Sequence, residues 1–200
     1  INGYSGHSYE IIEVSHLMNL NIAGYTDIIE KKYNPFNLKY LGNEKEYKSN
    51  FFNKYIFFVC IGDNKTRTSL SNYIRSKSGK TVNIIHPSSL LSENIKLGSG
   101  VFISKNVSIN SFSRIDNDVI INTSATLEHE CVILSGTHIG PGTVLLGNVK
   151  VGKYTFIGAN SVVKEGVKIG NNAIIGAGSV VINDIPSNEV WVGNPAKKIK

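Results

Sequence analysis

Isoleucine, leucine or valine stands at every sixth residue from Ile85 to Val181, with polar and glycine residues at many of the positions between. The run passes through Ile103, Ile121, Leu127, Ile139, Ile157 and Ile175. Four residues after each large aliphatic comes a second apolar or small position, among them Val107, Ala125, Cys131, Thr143 and Ser161. An α-helix needs a period near 3.6 and a half-buried strand a period of two, so neither accounts for six. A six-residue period with one bulky and one small inward position per repeat predicts a left-handed parallel β-helix over residues 85–200. Three hexads make a coil, so residues eighteen apart stack on one face, one strand spacing of about 4.8 Å up.

Residues 1–84 follow other rules. Ile1-Asn2 reads as the end of a first strand, as if the chain opened partway through it, and Gly3-Tyr4-Ser5-Gly6 is a loop. Next comes an amphipathic helix with Ile11, Val14, Leu17 and Met18 on one face, then a strand from Asn21 to Thr26 ending at Asp27. After the Asn34-Pro35 turn, residues 55–61 are nearly all apolar, as in a parallel strand covered on both faces. They lead into Gly62 and a helix containing Arg67. The pattern predicts an α/β, Rossmann-like domain at 1–84 followed by an all-β domain at 85–200. Glycines between strand and helix let a backbone approach a phosphate, which makes Gly3, Gly6 and Gly62 candidates for nucleotide contact. Asp27 lies where an acid accepts hydrogen bonds from a ribose or base. A tight βα turn without a ligand remains the alternative reading of the same residues.

Charge and cysteine content narrow the partners. The net charge of +6 is concentrated late, with seven lysines in residues 145–200 against Glu165, Asp184 and Glu189. No aromatic residues interleave these lysines, so a small polyanionic ligand fits better than nucleic acid. Cys60 and Cys131 both sit in apolar contexts, no stretch is long and apolar enough to span a membrane, and a cytoplasmic location is expected.

Candidate chemistry sits on the repeat. Leu127 and Cys131 point inward, which leaves Glu128, His129 and Glu130 outside, an imidazole between carboxylates that raise its basicity and fix its tautomer. Gly147, eighteen residues on, is expected directly above His129. His138 is nine residues away, half a coil, and so points to the opposite side of its own chain. One cleft can hold both histidines only between two copies, which predicts a homotrimer. The competing reading is that both are surface residues without a task.

The string INTSATLEHECVILSGTHIGPGTVLLGNVKVGKYTFIGANSVV, the N-terminal GYSGHS and the tail VWVGNPAKKIK resemble the bacterial sugar O-/N-acyltransferases of the NeuD/PglD type, along essentially the whole chain. The resemblance implies acetyl-CoA as co-substrate, His129 as general base, Glu130 as its orienting acid and His138 on the acetyl-CoA side. It implies that Gly147 offers its N–H to the thioester carbonyl and that Ala159 and Ala177 line the pantetheine channel. Ser5, Gly6, His7 and Asp27 would hold the nucleotide part of the substrate. Lys197 and Lys198 are candidates for the 3′-phosphate of coenzyme A. Two residues depart from the family pattern, Tyr4 in the loop and Leu134 after a hexad aliphatic.

The expected activity is acetyl-CoA-dependent N-acetylation of the 4-amino group of a UDP-, dTDP- or GDP-linked amino sugar. Attack is expected to be direct, with no acyl-enzyme, because the only competing nucleophile, Cys131, faces the core, and no metal is expected. O-acetylation of sialic acid and a non-catalytic trimeric scaffold are the alternatives. A β-helical zinc enzyme would need three histidines, and the coils offer His129 and His138 with His86 only at the edge.

Overall fold

The computed structural model describes residues 1–48 and 50–200 in full. In the N-terminal module Asn2 pairs in parallel with Val59 on one side and Thr26 on the other, Tyr25 pairs with Tyr40, and Ile56–Phe57 pairs with Lys80–Thr81. These pairings define a parallel sheet whose order, by residue, is 40–25–2–59–81. Helices α1 (Gly6–Leu17), α2 (Ser49–Lys54) and α3 (Asn64–Ser76) pack around it. Asn2 is fully buried in the middle of this sheet, and its Nδ2 donates to Thr26 Oγ1 at 2.6 Å. The pairing of Tyr40 and helix α2 were not anticipated. Asn34 explains the first: its side chain bonds both N–H and C=O of Leu38, at 3.0 and 2.8 Å, and turns the chain back beside Tyr25.

Helix α1 departs from the one-faced reading. Ile12 packs with Tyr4 and Tyr25 inside the module, whereas Ile11 and Val14 pack with Phe58, Ile84, Phe102 and Ile120, partly on the β-helix. The helix is wedged between two bodies, so it needs apolar residues on two sides, and Leu17, expected on the buried face, is 55% exposed.

From Ile84–Ile85 onward the chain forms a three-sided prism of two-residue parallel strands. Register follows the eighteen-residue rule, as in Thr126↔Val144 and Val144↔Val162. From Ile103 to Val181 every bulky hexad residue is buried, as is every small partner from Val101 to Ser179, so the repeat is one continuous core. Each face turns a different set of side chains outward. One carries Lys96, Arg114, Val132, Lys150 and Lys168. A second carries Leu90, Ser108, Thr126, Val144, Val162 and Val180. The third carries Ile84, Phe102 and Ile120, covered by the N-terminal module, and above them His138, Phe156 and Ile174.

The final coil shortens from eighteen to sixteen residues, pairing Ile169 with Ile185 and Ile174 with Val190. Val190–Val192 then folds back against Lys197–Lys198, and Trp191 and Ala196 close the core. That hairpin covers part of the open strand edge at the prism end. Among the described residues no helix is long and apolar enough to cross a membrane.

Candidate functional site

His129 and Glu130 occupy the corner between the lysine-bearing face and the valine-bearing face. Glu130 adopts φ 61°, the left-handed conformation repeated at this turn position in Asp118, Ser124 and Asn148. This conformation costs an L-residue about 1–2 kcal/mol. Here it brings Glu130 Oε2 within 3.0 Å of His129 Nδ1. A carboxylate on Nδ1 holds the proton there and leaves Nε2 as the basic nitrogen. Gly147 lies directly above, as the eighteen-residue stacking requires: a Cβ on it would come within 2.6 Å of both Cε1 and Nε2 of the ring. The Gly147 carbonyl accepts from Gly166 N–H at 2.9 Å, while its own N–H donates to no group among the described residues. Glu128 corrects the expectation of carboxylates on both sides of the ring. It accepts from Asn110 Nδ2 at 2.7 Å, one coil below, and leaves the imidazole to Glu130. Cys131 is fully buried, donates to the Leu146 carbonyl at 3.3 Å, and burial pushes its thiol up to about 11. It is not a nucleophile in this setting.

His138 lies on the prism face opposite that corner, against the N-terminal module. Its ring meets Phe156 edge-on at 5.2 Å and stands 3.4 Å from Asn122 Nδ2. Burial lowers its pKa to about 3, helped by the positive charge of Arg67 and by His7, with the Gly62 backbone working weakly the other way. His7 is held below its ordinary value for the same first reason, burial.

The sequence reading missed Arg67 as a structural centre. It is 1% exposed. Its guanidinium donates to the carbonyls of Asp118 (2.9 Å), Ile61 (3.0 Å), Gly62 (2.9 Å) and Gly136 (3.0 Å), and to Asn64 Oδ1 (2.8 Å). Beside it Arg75 pairs with Asp118 at 2.6 Å. Together they fasten the Ile61-Gly62 loop to the prism near His138. The only signal in the sequence was an arginine in a helix that follows a strand-ending glycine.

Within the module a cleft of about 1000 Å³ opens at the C-terminal ends of the parallel strands, lined by Gly3, Ser5, Asp27, Glu44, Gly62 and Tyr73 among others. Asp27 accepts from Tyr4 N–H at 3.1 Å and from Ile28 N–H at 2.7 Å, and pairs with Lys31 at 3.1 Å. Gly3 has φ +83°, a conformation that disfavours a side chain in this loop. Of the residues assigned to the nucleotide, Gly3, Ser5, Asp27 and Gly62 are brought together here. Gly6 begins α1, and the His7 ring packs edge-on against Phe102 at 5.5 Å, in the seam with the prism. The Tyr4 ring packs with Ile12 and is stacked on Tyr25 at 4.3 Å, with its hydroxyl donating to Asn34 at 2.6 Å. A smaller apolar cavity of about 280 Å³, lined by Ile22, Gly24, Phe57 and their neighbours, contains none of the candidate residues.

Ala159 and Ala177 stack at a different corner from His129, where Ala159 accepts from Gly178 N–H at 2.8 Å. Lys197 and Lys198 are exposed on the terminal hairpin, and Lys198 is engaged with Glu189 at 2.6 Å. Among the described residues no three of His, Cys, Asp and Glu gather as a metal site would require.

Residues 1–74 match the PglD N-terminal domain, and residues 130–165 and 148–183 match the bacterial transferase hexapeptide (six repeats). The chain is similar to PerB from Caulobacter crescentus, solved in complex with CoA and GDP-perosamine, at 33% identity and a TM-score of 0.93, covering 100% of this chain and 95% of that one. It is similar to the acetyltransferase domain of PglB from Neisseria gonorrhoeae FA1090, in complex with acetyl coenzyme A, at 25% identity and a TM-score of 0.90, covering 99% and 97%. WeeI from Acinetobacter baumannii AYE shares the fold, at 20% identity and a TM-score of 0.88 over 99% of this chain and 97% of that one. With its N-terminal module, its hexapeptide prism and a full-length relative at 33% identity, the chain belongs to the PglD-type sugar acyltransferases of the left-handed β-helix class.

Proposed function

We propose that this acyltransferase moves an acetyl group from acetyl-CoA to the amino group of a nucleotide-linked amino sugar, by direct attack with His129 as general base. The observation that carries the reading is the corner itself: an exposed imidazole tied through Nδ1 to Glu130 and laid against Gly147, with Nε2 free. The sugar amine attacks the thioester carbonyl while Nε2 takes its proton, and Glu130 stabilises the imidazolium. The developing oxyanion meets the Gly147 N–H, a donor not used within the chain. Collapse of the tetrahedral intermediate expels the coenzyme A thiolate, which recovers the proton from the imidazolium.

The nucleotide occupies the cleft between Gly3, Asp27 and Gly62, and Arg67 ties Gly62 to the prism at Gly136, near His138 and on the side opposite His129. A homotrimer resolves this separation, because the corner of one copy then faces the His138 side of the next. Pantetheine runs past the backbone of Ala159 and Ala177, and Lys197 lies at the far end for the 3′-phosphate. The nucleotide cleft favours this reading over acetylation of a free sialic acid.

The test is release of coenzyme A thiol with UDP-, dTDP- and GDP-linked 4-amino sugars. His129→Ala is expected to lower kcat by about 10²- to 10⁴-fold with the assembly intact. Undiminished turnover in that variant would remove the general base from the mechanism.

A further inference from the structure

Glu44 is a polar group of the nucleotide cleft that neither the fold nor the proposed chemistry uses. It opens the short 3-10 turn Glu44–Glu46 just beyond the strand that pairs beside Tyr25, and it lines the cleft with Asp27, Asn43 and Tyr73. The residue is 6% exposed, and its Oε2 is buried without a hydrogen-bond partner among the described residues. The turn does not need the carboxylate. Asn43 Oδ1 accepts from Lys45 N–H at 3.0 Å, and the Glu44 carbonyl accepts from Tyr47 N–H. Asp27 N–H donates to the Gly42 carbonyl at 3.2 Å, which sets Glu44 next to the strand end where a ribose is held. Ligands of open parallel sheets bind at the carboxyl ends of the strands, where Glu44 and Asp27 line one cleft. A buried acceptor left open at that place is costly unless a ligand supplies its donor.

We infer that Glu44 reads the base of the nucleotide and selects guanine, an inference that rests on the nucleotide-sugar reading of the cleft. An ionised carboxyl has lone pairs and no proton, so it pairs with an edge that presents two neighbouring donors. Guanine presents N1–H beside its 2-amino group, and both can reach one carboxylate. Uracil and thymine offer a single N3–H between two carbonyl oxygens, and those oxygens face a carboxylate with repulsion. A site built to hydrogen-bond one edge rejects analogues that leave its buried polar group unpaired. Lys31, Lys45 and Lys65, also on the cleft, supply positive charge for a diphosphate.

Titration calorimetry of the full chain with GDP, IDP, UDP and dTDP tests this. GDP is expected to bind at least about tenfold tighter than UDP or dTDP, and IDP, which lacks the 2-amino donor, roughly tenfold weaker than GDP. Glu44→Gln is expected to weaken GDP by roughly 10- to 100-fold and, by removing the repulsion, to leave UDP binding no weaker than before, the latter serving as a check on folding. UDP or dTDP binding as tightly as GDP overturns guanine selection and leaves the nucleotide cleft standing. IDP equal to GDP, or Glu44→Gln with undiminished GDP affinity, removes Glu44 from the base. Binding of none of the four overturns both this inference and the reading beneath it.

Discussion

Gly147 shows how one residue's absence of a side chain makes room for another's ring. Its backbone is not in the left-handed region, so alanine is conformationally allowed there, and the cost of substitution falls on the neighbour. A methyl group within 2.6 Å of two ring atoms forces the His129 imidazole off the corner and away from Glu130. Gly147→Ala is therefore expected to keep its melting temperature near that of the parent and to lose on the order of 10²-fold in kcat, with a smaller change in KM for acetyl-CoA. Steady-state kinetics beside a melting curve decide it, and loss of folding with no separate kinetic effect would count against the role. The glycine was legible because eighteen-residue stacking is arithmetic. Glu128 was misread because the hexad fixes only that a side chain points outward, and not which neighbour it then meets. The same arithmetic places Asn110 eighteen residues before Glu128, and Asn110 is its partner.

At the scale of elements, the seam between α1, α3 and the third prism face was the least legible part of the chain. Periodicity reveals that α1 is amphipathic, but not that it is wedged between two bodies, and nothing local to Arg67 foretells acceptors at Asp118 and Gly136. Long-range contacts of this kind leave no period in the sequence. The seam has a consequence for acid stability through His138. Its pKa falls from 6.5 in the unfolded chain to about 3 in the fold, because burial disfavours the cation and Arg67 repels it. Below pH 6.5 the unfolded chain therefore takes up a proton that the fold refuses, and stability present above 6.5 is lost progressively as pH falls toward 3. His7 in the same seam shifts in the same direction. His138→Gln removes one such group, so its melting temperature is expected to fall less steeply than the parent's between pH 6.5 and 4. Parallel slopes for the two proteins would show that His138 is not protonated on unfolding.

The whole molecule is ordered by what its three prism faces turn outward. Lysine and arginine cover one face, and the N-terminal module covers the lower part of another. The face bearing Val144, Val162 and Val180 is neither charged nor covered by the chain itself, and Leu90 at its lower end is 73% exposed. A flat column of β-branched side chains beside the His129 corner is the surface on which a second copy has most to bury. The sequence made the prism and its inward positions plain, and the same stacking arithmetic sorts the outward residues into faces. It could not say which face stays bare, since that depends on where the N-terminal module docks. Val162 points outward, so Val162→Glu leaves the core untouched and sets a carboxylate in the middle of this column on each copy. The variant is expected to sediment as a monomer with an unchanged far-ultraviolet spectrum and to lose turnover together with assembly, whereas Lys150→Glu on the charged face retains both. The coupled loss follows from the placement of His129 and His138 on opposite sides of one prism, because neither copy then holds a complete cleft. A Val162→Glu monomer with full activity would place the whole reaction on a single chain.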